Sequence, residues 1–310
     1  MKIAFIYPGQ GAQYTGMGKE IYDNFSEARE IFEEANDSLG YDIARLCFEG
    51  PDEELMKTEN TQPAILTVSI ALTKVLSNKG IKADVTAGLS LGEYSALVYS
   101  GVLSFKDAVK LVKKRGEYMQ NAVPIGIGGM AAIIGLDNET VENICCDVKD
   151  VGIVEPANYN CPGQLSIAGE IKALEKAVEL AKAKGAKKAV MLSVSAPFHC
   201  SMLKEAGFKL EGDLKEIYTY DMSVPVITNV TADYERIDEV KKMLVKQVSS
   251  PVLWEQSIRR MIEDHVDTFI EIGPGKTLTG FMKRIDKTKK AVNFEDMGTL
   301  DKLLSSLEVN

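Results

Sequence analysis

One pentapeptide, Gly88-Leu89-Ser90-Leu91-Gly92, restricts what this chain can fold into more than any other stretch. It follows a short strand predicted at 84–88 and precedes a helical pattern over 91–100. A serine held between two glycines at a strand-to-helix turn needs a tight backbone path, and glycine permits the close approach. Folds that supply such turns are α/β layers whose parallel strands feed helices. Two readings of Ser90 stand at this point. It is a nucleophile at the head of a helix, where free N–H groups and the dipole favour negative charge, or a helix N-cap after a glycine turn.

The rest of the chain fits an α/β fold with a largely parallel sheet. Residues 2–7 read as a buried strand ending in the loop Pro8-Gly9-Gln10-Gly11. Residues 63–79 read as a helix with Pro63 at its first position and Ile65, Val68, Leu72, Val75 and Leu76 at helical spacing. A further helix is predicted over 106–121. Core strands are predicted at 225–228 and 269–272, the second broken by Gly273-Pro274-Gly275 before a helix over 277–285.

The stretch 126–196 differs. Gly126, Gly128 and Gly129 mark its boundary. A strand (130–134), a helix (138–147), two strands (151–155 and 164–168), a helix (171–184) and a strand (188–194) follow. That order is the split β-α-β unit of ferredoxin-like folds. The expectation is a discontinuous main domain, 1–125 and 197–310, with a small domain inserted at 126–196.

Charge and cysteine usage narrow the function classes. A net charge of -9 argues against a nucleic-acid or anionic-membrane partner held by global charge. No apolar run reaches the roughly 18 residues of a membrane span. Met1 to Tyr7 reads as a first strand and not a signal peptide, so a cytoplasmic protein is expected. The 5 cysteines show no C-x-x-C spacing and read as reduced thiols. With 2 histidines and no H-E-x-x-H, no metal site is expected. Lys182, Lys184, Lys187 and Lys188 form one basic cluster, and Lys283, Arg284, Lys287, Lys289 and Lys290 another. Each is either a solvated face or a docking site for an acidic or phosphate-bearing partner.

A serine nucleophile needs a base, and only His199 and His265 exist. His265 precedes a core strand and reads as a surface turn. His199 follows the strand that closes the small domain, in a junction loop of the kind that builds active sites. It is the better general base, with a structural histidine as the alternative. Arg115 lies four residues after Leu111 and four before Met119, on the apolar face of its helix. A buried guanidinium needs acceptors, either a protein acid or a substrate carboxylate.

Five ordered motifs add a resemblance. Pro8-Gly9-Gln10-Gly11-Ala12-Gln13, Asn60-Thr61-Gln62-Pro63-Ala64, Gly88 to Val98 with Arg115 beyond it, Ala196-Pro197-Phe198-His199 followed by Pro251-Val252-x-Trp254, and Glu271 to Gly275 occur in that order. Through almost the whole chain they resemble malonyl-CoA:acyl carrier protein transacylases and the related acyltransferase domains of polyketide synthases. The resemblance implies an α/β-hydrolase-like core with an inserted ferredoxin-like domain, and a monomer. It implies malonyl-CoA as donor, the phosphopantetheine thiol of acyl carrier protein as acceptor, and no bound cofactor. Ser90 would be acylated and His199 would be its base. Arg115 would hold the malonyl carboxylate, and the backbone N–H groups of Gln10 and Leu91 would form the oxyanion hole. Gln62 would line the pocket, Phe198 resembles malonyl-selective members, and the backbone carbonyl of Gln247 would orient His199.

One residue departs from the pattern. The family usually has histidine before the nucleophile, where this chain has Leu89. Some trans-acting polyketide acyltransferases share Gly-Leu-Ser-Leu-Gly, so fatty-acid synthesis and a polyketide pathway both stay open. A hydrolase and a noncatalytic carrier-binding module are the other readings; the inward Arg115 counts against the first, and the intact Ser90, His199 and Arg115 against the second.

Overall fold

A computed structural model describes residues 1–194 and 196–307. Two sheets organise it. The larger has five strands: β1 (Ile3–Tyr7), β2 (Val85–Gly88), β7 (Val226–Ile227), β8 (Thr268–Ile272) and β9 (Lys290–Phe294), in the order β7-β2-β1-β8-β9. Every pairing in it is parallel. The smaller contains β3 (Gly128–Ile134), β4 (Val154–Cys161), β5 (Gln164–Glu170) and β6 (Lys188–Met191), ordered β4-β5-β3-β6 with antiparallel pairings.

The Ile-Ala-Phe-Ile-Tyr sequence of β1 is apolar throughout because both faces of the parallel sheet are covered. Phe5 and Tyr7 point into one core, with the helix Thr58–Asn78 and Met17, Ile21 and Phe32. Ala4 and Ile6 point into the other, with Trp254, Ile258, Phe269 and Met282. The small sheet has its own core, in which Ile133, Leu165 and Ile167 meet Val141, Ile144, Leu174 and Val178 from its two helices.

The register of the large sheet positions the site. Tyr7 pairs with Gly88, so the loops leaving β1 and β2 emerge side by side at the carboxyl edge. The chain runs from β1 outward to β2 and β7, then returns to β8 on the other flank of β1. Ligand crevices in open α/β sheets form at such a reversal. The small sheet is tied down across this edge: Tyr159 N–H donates to the Val252 carbonyl at 3.0 Å, and Val252 N–H to the Ala157 carbonyl at 2.8 Å.

Several element boundaries differ from expectation. The helix expected over 63–79 begins at Thr58, so Pro63 lies inside it and not at its first position. Gly128 and Gly129 open β3 instead of preceding it; a Cβ on Gly128 would come within 2.6 Å of the Pro197 ring. β4 starts three residues late and runs on to Cys161, drawn out by its contact with Val252. β6 ends at Met191. Four helices ahead of Thr58 and the strand β9 were not expected. The α/β class, the parallel main sheet and the β-α-β-β-α-β order of the second sheet match the expectation. Among the described residues no helix is long and apolar enough to cross a membrane.

Candidate active site

The turn after β2 is built on two glycines. A Cβ on Gly88 would sit 1.9 Å from the Gly92 carbonyl carbon, and one on Gly92 would sit 2.2 Å from the Tyr7 carbonyl oxygen. Between them Ser90 adopts φ 53°, a left-handed backbone that a non-glycine residue takes only under constraint. Asn229 supplies that constraint. Its Oδ1 accepts from the Ser90 N–H at 2.6 Å while its Nδ2 donates to the Gly88 carbonyl at 2.7 Å.

Ser90 Oγ lies 2.6 Å from His199 Nε2, and His199 Nδ1 lies 2.9 Å from the Gln247 carbonyl. A carbonyl only accepts, so Nδ1 carries the proton and Nε2 of the neutral ring accepts from the serine hydroxyl. Burial, then the nearby Arg115 charge, lowers the His199 pKa from 6.5 to about 4, partly opposed by hydrogen bonds to backbone. The imidazole is therefore neutral at physiological pH, with the Nε2 lone pair free to accept a proton. His265, exposed and distant in role, takes no part.

Arg115 is 1% exposed. Its Nη1 donates to Gln62 Oε1 at 2.8 Å, and its Nη2 to Gln247 Oε1 at 2.9 Å and to Ser90 Oγ at 3.3 Å. The guanidinium lies 5.3 Å over the Tyr94 ring. Its Nε has no hydrogen-bond partner, and no carboxylate forms an ion pair with it among the described residues. Burial works against its charge and lowers its pKa, only partly countered by Tyr94 and Glu93.

These groups open onto a cleft of about 620 Å³. The β1 loop contributes Gln10 and Gln13, the helix Thr58–Asn78 contributes Gln62, the small sheet contributes Met130, Asn158 and Ser166, and the helix Thr277–Ile285 contributes Phe281. Phe198 lines the same space. Neither the Gln10 N–H nor the Leu91 N–H donates to a protein acceptor among the described residues.

Three residues of the site were given no role by the sequence: Asn229, which lies in none of the motifs, and Glu93 and Tyr94, which lie within the Gly88 to Val98 motif. Glu93 is fully buried in the first turn of the helix that follows Ser90. Its Oε2 accepts from the Asn229 N–H and from Gln247 Nε2, each at 2.9 Å. Burial raises its pKa to about 7 against the pull of those donors.

Residues 4–302 match the acyl transferase domain family. A malonyl CoA-acyl carrier protein transacylase of Bacillus subtilis is 48% identical over 310 residues, covering 99% of this chain and 98% of its own length. The crystal structure of a malonyl CoA-acyl carrier protein transacylase from Clostridium perfringens superposes with a TM-score of 0.97 at 50% identity, covering 99% of this chain and 98% of that one. A malonyl-transacylase solved in complex with its type II PKS acyl-carrier protein has a TM-score of 0.96 at 44% identity, covering 99% of this chain and 100% of that one.

Proposed function

Because the chain belongs to the acyl transferase domain family, we propose that it moves a malonyl group from malonyl-CoA to the phosphopantetheine thiol of acyl carrier protein through a malonyl ester on Ser90. The observation that carries this reading is the buried Arg115, 3.3 Å from Ser90 Oγ and without a carboxylate partner among the described residues. A cation so placed selects an acyl group that brings its own carboxylate.

The reaction has two half-steps. His199 Nε2 takes the Ser90 proton as Oγ attacks the thioester carbonyl, and the Gln247 carbonyl steadies the imidazolium through Nδ1–H. The N–H groups of Gln10 and Leu91 receive the oxyanion. The tetrahedral adduct collapses, the C–S bond breaks, and the coenzyme A sulfur leaves with the proton from His199. The carrier thiol then gives its proton to His199 and attacks the ester, returning Ser90 to its hydroxyl form. Only ester and thioester bonds are exchanged, so the balance needs no electron carrier and no metal.

Arg115 and Gln62 hold the malonyl carboxylate, Phe198 limits the bulk of the acyl unit, and the stretch 126–196 is an inserted domain that closes the cleft over a main domain of 1–125 and 197–310. The protein acts as a cytoplasmic monomer that meets its carrier transiently. The likeness to malonyl CoA-acyl carrier protein transacylases supports a place in fatty-acid synthesis. A polyketide carrier is the second reading, favoured by the complex of a 44% identical malonyl-transacylase with a type II PKS carrier. The test is intact-protein mass spectrometry after brief mixing with malonyl-CoA. A malonyl adduct that transfers to acyl carrier protein is expected; release of free malonate with no adduct would make the chain a hydrolase.

A further inference from the structure

We propose that Glu93 is a positioning residue whose carboxylate, buried behind the nucleophile, grips Asn229 and Gln247 so that Ser90, His199 and Arg115 are aligned as one unit. The proposal rests on the acyl-transfer reading of the cleft.

Each of the three working groups is one residue removed from Glu93. Through Asn229, whose N–H it accepts at 2.9 Å, it fixes the amide that holds the Ser90 N–H at 2.6 Å and the Gly88 carbonyl at 2.7 Å. Through Gln247 Nε2, also at 2.9 Å, it fixes a side chain whose Oε1 accepts from Arg115 at 2.9 Å. The carbonyl of the same Gln247 sets the His199 ring. Gln247 Nε2 also donates to the Ser90 carbonyl at 3.0 Å, closing the loop on the elbow itself.

The grip is that of an acceptor and not of an ion pair. Among the described residues no salt bridge reaches Glu93, and its second oxygen, Oε1, has no hydrogen-bond partner. Arg115 and Glu235 are the charged groups that face it, one of each sign. Asn229 and Gln247 are fully buried, so water cannot replace the acceptor if it is removed. Loss of the shared acceptor would release both amides together. A displacement of even about 1 Å at a reacting group costs on the order of a hundredfold in rate.

The test compares the full chain with E93Q, E93M and E93D by time-resolved intact mass after mixing with malonyl-CoA or acetyl-CoA. An amide keeps one acceptor oxygen for both donors, so E93Q should recover most of the rate. E93M should acylate Ser90 about ten- to a hundredfold more slowly, reach the same final adduct stoichiometry, and lose more with malonyl-CoA than with acetyl-CoA. E93D, which retracts the same acid by one methylene, gives the comparison if E93M does not fold. Variants that acylate at the parent's rate overturn the proposal. So does a variant that reaches only a fraction of the adduct at the parent's rate, which marks a role in folding alone, and so does an E93Q as slow as E93M. A parent chain that forms no Ser90 adduct overturns instead the reading of the cleft.

Discussion

Ser90 Oγ and His199 Nε2 stand 2.6 Å apart, and both residues hold left-handed backbones, φ 53° and 62°. Neither conformation is comfortable for a residue with a side chain, and each costs of order 1 kcal/mol or more. The strain turns the serine and the imidazole toward each other across a gap of 109 positions in sequence. If that contact makes the nucleophile, Ser90→Ala should leave no covalent adduct with malonyl-CoA. A surviving adduct would place the acyl group elsewhere.

Arg115 is expected to discriminate between donors. Arg115→Ala should lower Ser90 malonylation by roughly a hundredfold or more, the worth of two charge-assisted hydrogen bonds, while acetyl transfer is kept or improved. Self-acylation rates with the two donors check this. An equal loss with both would make the arginine structural.

The pH profile follows from His199. Its folded pKa is about 4, below the ordinary 6.5, so the ring stays a competent base until the pH approaches 4. The acid limb of kcat/KM should therefore have its midpoint well below 6.5. Stability carries the matching sign. Between 6.5 and 4 the unfolded chain binds a proton at this histidine that the folded chain refuses. Compared with His199→Gln, the parent should lose stability as pH falls through that window, measurable by urea unfolding at each pH.

Gly88→Ala should destabilise the fold. The new Cβ would meet backbone 1.9 Å away, which no rotamer change can relieve. A loss of about 3 kcal/mol or more is expected in urea unfolding. Gly212, around which a Cβ would meet nothing within 4 Å, serves as the control position.

Carrier docking is separable from acylation. Lys187 and Lys188 are exposed on the small sheet's edge strand and the turn before it. Reversing both charges should slow malonyl transfer to acyl carrier protein and leave Ser90 self-acylation unchanged. A parallel fall in both rates would remove this patch from docking.

What could be read in advance followed from periodicity and steric demand. Gly88 and Gly92 announced the turn because few residues fit so narrow a path. Arg115 was legible because a charge on an apolar helix face is anomalous. Asn229 was hidden because it follows a strand of only two residues, Val226–Ile227, and its importance lies in a contact 139 positions away. Glu93 stands in a helix's first turn, where an acid is ordinary and calls for no special role. Its burial arises from packing beneath β1 and β2, which no local pattern records. Pro63 misled for a related reason: it is welcome at a helix start, yet buried packing carries the helix back to Thr58. β9 was missed because four of its five residues are only half-buried and it opens on a lysine.

The absence of an ion pair at Arg115 among the described residues also bears on the stability of the folded chain. A buried cation with no ion-pair partner among the described residues is a liability to the folded chain, and a carboxylate bound beside it would ease that liability. Whatever binds only the folded form protects it by mass action. A reversibly bound carboxylate such as malonate is therefore expected to raise the resistance of the folded chain to heat and proteolysis.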